Sequence, residues 1–159
     1  MKITLINNSV LVLLAAGLCA CNTGNVIPAQ ETSLAQVSAT ELNASQAYEK
    51  EDWVTAEREY RKLTEIMPTS PESWFRLGNV YVRLKRPNDA LLAYQEALIR
   101  DPNHAKAWHN TGIVQLEQAT NTFLEMQNHL QSDDPLYQRA QQIIDSVTGL
   151  LEQDFEKPQ

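Results

Sequence analysis

A shift of 34 residues lays one part of this chain on another. Ala56, Tyr60 and Pro68 fall on Ala90, Tyr94 and Pro102, and Asp52-Trp53 falls on Arg86-Pro87, where an amphipathic segment begins. A unit of this size cannot bury an apolar face by itself, so copies must stack and share one core. The chain of 159 residues has room for one ordinary domain and not for two comfortable ones. Its 43% apolar and 21% charged residues, with five glycines, suit a helix-rich globular protein.

The better copy runs from Pro71 to His104. Its first helix carries Trp74, Leu77, Gly78 and Tyr81 on one stripe at i, i+3, i+4 and i+7 spacing, and its second carries Ala90, Tyr94 and Ala97. Lys85-Arg86-Pro87-Asn88 makes the turn between them, with Pro87 placed where a missing N–H costs nothing, and Pro102 stops the second helix. Gly78 and Ala90 allow close approach of the two helices, and Trp74, Leu77, Tyr81 and Tyr94 fill the space around that contact. This copy resembles the tetratricopeptide repeat at Trp74, Leu77, Gly78, Tyr81, Ala90, Tyr94, Ala97 and Pro102. The resemblance implies an all-α fold: a short solenoid of helical hairpins.

The flanking units depart from that pattern. In residues 37–70 the second helix is sound, with Asp52 as its expected N-cap, but Thr40 and Asn43 replace the large apolar residues of the first helix and only Ala44 fits the small position. In residues 105–155 Trp108 and Gly112 keep register, and then no turn arrives. Trp108, Gly112, Leu116, Ala119, Phe123, Met126 and Leu130 continue at 3 and 4 spacing, which predicts one long third-repeat helix of about 25 residues. After Asp133-Asp134-Pro135 a further helix, with Leu136, Ala140, Ile143, Val147 and Leu150 on one stripe, is expected to cap the C-terminal end. A bolder expectation leaves Ile144, Leu151 and Phe155 partly exposed to hold a partner.

The first residues concern location. Met1-Lys2 followed by an apolar run from Val10 to Ala16 has the shape of an export signal and is too short to span a bilayer. Leu18-Cys19-Ala20-Cys21 resembles the lipobox of bacterial lipoproteins, which implies cleavage after residue 20 and a lipid thioether on Cys21. Several acyl chains, at roughly 0.8 kcal/mol per buried methylene, make such an anchor effectively permanent. Asn22 in the next position implies an outer-membrane, periplasm-facing location rather than retention at the inner membrane. Residues 21–36 then read as the lipidated Cys and a flexible tether, reaching roughly 50 Å when extended. Loss of the signal moves the formal charge from −7 to about −8, without the basic footprint that nucleic-acid binding requires.

Chemistry is sparse. His104, His109 and His129 do not stand at metal-ligand spacing, and neither a phosphate-cradling Gly loop nor a nucleophile elbow occurs. The acidic runs Glu49-Lys50-Glu51-Asp52 and Glu57 to Glu65 interleave with Arg58, Arg61 and Lys62 as solvated helix faces do. No catalytic residue, cofactor or metal is therefore expected, and binding remains.

In tetratricopeptide proteins the first helices of successive repeats line a groove that accepts a peptide. Carried over residue by residue, the groove positions are Phe75, Asn79, Val82 and Arg83, followed by Lys106, His109, Asn110 and Ile113. Asn79 matches a position of the family's two-carboxylate clamp, but Phe75 stands where that clamp needs Lys. The expected role is a membrane-anchored adaptor or scaffold holding a protein or peptide partner. The alternatives are a pilotin-like assembly factor for a pilus or secretion system, and a structural lipoprotein that forms a homo-oligomer through its last two helices.

Overall fold

The computed structural model describes residues 34–155, with side chains through residue 152. The expected signal peptide, Cys21 and most of the tether lie outside these residues. Six helices follow one another: α1 (Leu34–Glu49), α2 (Trp53–Ile66), α3 (Pro71–Arg83), α4 (Pro87–Arg100), α5 (Ala105–Gln127) and α6 (Pro135–Phe155). There is no strand among the described residues. The architecture is the all-α hairpin solenoid expected from the repeat.

Local chemistry sets the helix ends. The Asp52 carboxylate accepts from the Thr55 N–H at 3.1 Å, as an N-cap should, and these bonds hold its pKa below the usual carboxylate value. Ser70 caps α3 by accepting from the Ser73 N–H, and Pro71 and Pro87 occupy first-turn positions. The turns inside the first two hairpins are built alike. Glu51 and Lys85, separated by one repeat length, are the residues in the left-handed region, at φ 58° and 57°. Arg86 ties the two hairpins together: its Nη1 donates to both carboxylate oxygens of Glu57 at 2.9 and 3.0 Å, and its Nε donates to Asp89 at 2.6 Å.

The core sits between the paired helices. It gathers Ala44 and Ala47 from α1, Ala56, Tyr60 and Leu63 from α2, Phe75, Leu77, Val80 and Tyr81 from α3, and Ala90, Ala93, Tyr94 and Ala97 from α4. Ala107 and Val114 of α5 close it. Small residues predominate where helices touch, so the backbones approach closely and aromatic rings fill the remaining space. The clearest case is Gly78. A methyl group there would stand 2.5 Å from Cδ1 of Tyr94 and closer still to Cε1.

Three expectations change. First, α1 begins at Leu34, so the helix takes the last residues assigned to the tether. Second, Gly112 keeps the register of Gly78 but not its purpose. Nothing lies within 4 Å of the place its Cβ would occupy, and α5 runs unbroken for 23 residues, where α3 stops after 13. Third, α6 is turned relative to the predicted stripe. Ala140 and Ile144 are buried at 1% and 8% exposure, while Leu136 and Leu150 remain open. Ile144 is therefore packed and unavailable to a partner, Leu151 is half-buried, and the side chain of Phe155 lies outside the described residues. The physical reason is that α6 rests mainly on α5 and buries only the narrow line that meets it, Ala140 and Ile144. Asp134 caps this helix, its carboxylate accepting from the Leu136 N–H at 2.7 Å.

Candidate functional site

The first helices of the three units, α1, α3 and α5, present the face that the repeat pattern marks for binding. Its central support is a polar network under α3. The Tyr94 hydroxyl donates to Oδ1 of Asn79 at 2.8 Å. Nδ2 of Asn110 donates to the same oxygen at 2.8 Å and reaches the Tyr94 hydroxyl at 3.4 Å. Three helices are thereby joined through one buried phenol. Burial pushes the Tyr94 pKa up to about 12, so the ring stays a neutral donor at any physiological pH.

The eight expected groove residues divide into three groups. Phe75 is core: it is 5% exposed, with its ring 6.0 Å from that of Tyr94 and 4.8 Å from the His104 imidazole. It is withdrawn from the groove wall because His104, the N-cap of α5, closes over it. Nδ1 of His104 accepts from the Ala107 N–H at 3.2 Å, and its Nε2 stands 3.6 Å from Glu72. Asn79, Asn110, Val82 and Ile113 are half-buried and form the floor. Arg83, Lys106 and His109 are exposed and form a basic rim. The Arg83 guanidinium lies 5.8 Å from the Trp53 ring centroid, and a ring nitrogen of His109 lies 3.2 Å from Oδ1 of Asn110.

A cleft of about 590 Å³ opens between α1 and α3, lined by none of the eight expected groove residues. Its α1 wall is Ser38, Glu41, Leu42, Ser45, Tyr48 and Glu49, its floor includes Tyr60 and Leu63 of α2, and Glu72 and Arg76 stand on the α3 side. The signal was present in the sequence. Subtracting one repeat length from Phe75, Asn79, Val82 and Arg83 gives Glu41, Ser45, Tyr48 and Glu49, all four of them on the cleft wall. The weak apolar pattern of the first unit concealed the correspondence.

Two other features bear on chemistry. Glu59, expected on a solvated face, is 5% exposed and is held by Arg58 Nε at 2.8 Å and Lys62 Nζ at 3.0 Å. Burial opposes its charge, but these bonds prevail and its pKa lies below the usual value, so it remains a paired carboxylate. Among the described residues no group of three or more His, Cys, Asp or Glu side chains is placed to hold a metal ion. No described helix is long and apolar enough to cross a membrane.

Comparison with known proteins agrees with this geometry where it applies. The family model described as tetratricopeptide repeat matches residues 71–104, the α3–α4 hairpin with its closing turn. A curated mouse protein, tetratricopeptide repeat protein 21B, is 42% identical over 43 residues, which is 27% of this chain and 3% of that protein. The chain thus spans a very small part of that relative's length. Residues 71–104 are a tetratricopeptide repeat, a helical scaffold of the kind used for protein interaction.

Proposed function

We propose that this chain is a lipid-anchored adaptor, facing the periplasm at the outer membrane, which holds a protein or peptide partner on its α1–α3–α5 face. The observation that carries the binding role is the Asn79–Tyr94–Asn110 network. It fixes a half-buried polar floor beneath an exposed basic rim, so that a partner meets a surface already ordered before binding. Leu18-Cys19-Ala20-Cys21 supports the anchor, and Asn22 supports the choice of membrane.

The test is capture from solubilised membranes with the intact protein beside an Arg83→Glu, Lys106→Glu version. Both residues are exposed, so the fold should survive and partner recovery should fall at least about ten-fold. Equal recovery of the same partners removes the groove from the account. Cys21→Ser should move the protein from the membrane to the soluble fraction while its affinity for the captured partner stays the same.

Self-association is a second reading, favoured by Trp108, Leu116 and Leu124, which α5 leaves 58%, 38% and 45% exposed. Sedimentation of the Cys21→Ser protein separates the two. A dimer that dissociates on Trp108→Ala supports pairing through α5, and a monomer at all concentrations excludes it.

A further inference from the structure

The two halves of the α1–α3–α5 face carry opposite charge, although they come from corresponding repeat positions. Where α3 places Phe75 and Arg83, α1 places Glu41 and Glu49. Glu41, Ser45, Tyr48 and Glu49 follow one another at i, i+4, i+7 and i+8, so they share one side of α1, the side that walls the cleft. Both carboxylates are exposed, and neither has an ion-pair partner among the described residues. Arg76, the cation on the opposite wall, is already engaged with Glu72 at 2.6 Å. Between the two free carboxylates lie Leu42, 56% exposed, and the half-buried ring of Tyr48.

We infer that the α1–α3 cleft takes a cationic peptide segment in extended form, with one apolar side chain over Leu42 and Tyr48 and a positive charge to each side of it. The inference rests on the reading of this face as a protein-binding surface and names the chemistry of what one end of it accepts. Glu49 stands eight helical rises beyond Glu41, about 12 Å along the axis. An extended chain covers that distance in about four residues, so cations at i and i+4 with the apolar residue between them match the wall. A helix, about 10–12 Å wide with its side chains, does not fit as well into a cleft of about 590 Å³. Anionic or neutral segments would leave both carboxylates without a counter-charge as water is displaced.

The experiment uses the full chain in detergent micelles and a fluorescein-labelled peptide of about nine residues, carrying arginine four positions apart and leucine midway. A counterpart has glutamate in place of both arginines. Fluorescence anisotropy should show the arginine peptide binding at least about ten-fold more tightly than the counterpart, with affinity falling as salt rises. Glu41→Lys, Glu49→Lys should remove at least about ten-fold of that affinity. Glu65→Lys, Glu117→Lys changes the net charge equally on exposed sites of α2 and α5 and should cost less than about two-fold. Circular dichroism establishes that both variants are folded.

Equal weakening by the two variants would mean bulk attraction to an acidic protein and would overturn the inference, as would an unchanged affinity on reversal of Glu41 and Glu49. Tighter binding of a helical peptide of the same composition would overturn the extended form. The broader reading fails separately: if Arg83→Glu, Lys106→Glu still abolishes capture of a native partner while the arginine peptide does not bind, the groove stands and only the cationic ligand is lost.

Discussion

Two glycines at matching repeat positions meet opposite surroundings. Gly78 lies against the Tyr94 ring, and Gly112 faces open space. Gly78→Ala should destabilise the domain by about 1–3 kcal/mol, because the ring it would meet is buried at 1% exposure and held through its hydroxyl by Asn79. Gly112→Ala should stabilise it by up to about 1 kcal/mol through helix propensity alone. Urea denaturation of the two variants reads both signs directly. Tyr94 also carries a pH dependence. Its pKa is raised on folding from 10.0 to about 12, chiefly by burial, so the native state keeps a proton that the unfolded state gives up. The stabilisation is fully present below pH 10 and is lost as pH rises from 10 towards about 12. Alkaline denaturation followed by circular dichroism should show this loss, and Tyr94→Phe should reduce it while costing about 1 kcal/mol at neutral pH from the hydroxyl's bonds to Asn79 and Asn110.

Among the elements, α3 and α5 each carry a tryptophan at their fourth position, Trp74 and Trp108, and the two are covered differently. Trp74 is half-buried under the Arg100 guanidinium, 4.7 Å from its ring centroid, and that guanidinium also donates to the Pro68 carbonyl. Trp108 has no such cover, since residue 134 stands where an equivalent arginine would be and α6 has yet to begin. Trp74→Ala should therefore cost about 2–3 kcal/mol and Trp108→Ala about 1 kcal/mol or less, measured by thermal unfolding. Most of this layer was legible in the sequence. The 34-residue shift, Asp52, Pro87 and Pro102 gave the first four helices their places, and the missing turn after Gly112 gave the long α5. Periodicity showed that a stripe exists but not which neighbour receives it. It therefore misjudged Phe75, which His104 covers from the next unit, and the rotation of α6, which one contact with α5 decides. Repeat register reached further than apolar pattern: Glu41 and Glu49 sit in a degenerate helix, yet subtraction of one repeat length finds them.

At the scale of all the described residues, the main buried core lies in the first four helices and the first half of α5. The main core contains no residue of α6, and Ala140 and Ile144 form a separate, smaller contact with α5. Native-state hydrogen exchange should find α3 and α4 protected to the level of global unfolding, with the end of α5 and α6 exchanging at least about ten-fold faster. Uniform protection across all six helices would show one cooperative unit instead. The sequence could not reveal this division, because α6 is as amphipathic as the helices of the core. One detail repeats at both ends of the central hairpin. The Trp74 indole N–H donates to the Pro68 carbonyl at 3.4 Å, and the Trp108 indole N–H donates to the Pro102 carbonyl at 2.9 Å. The same latch thus closes both junctions of residues 71–104. A seam closed by the same indole–carbonyl bond in both places is interchangeable, so a duplicate of this segment could be spliced in at residue 104 and meet a matching latch on either side. Such an insertion would lengthen the binding face by one hairpin and leave both ends as they are.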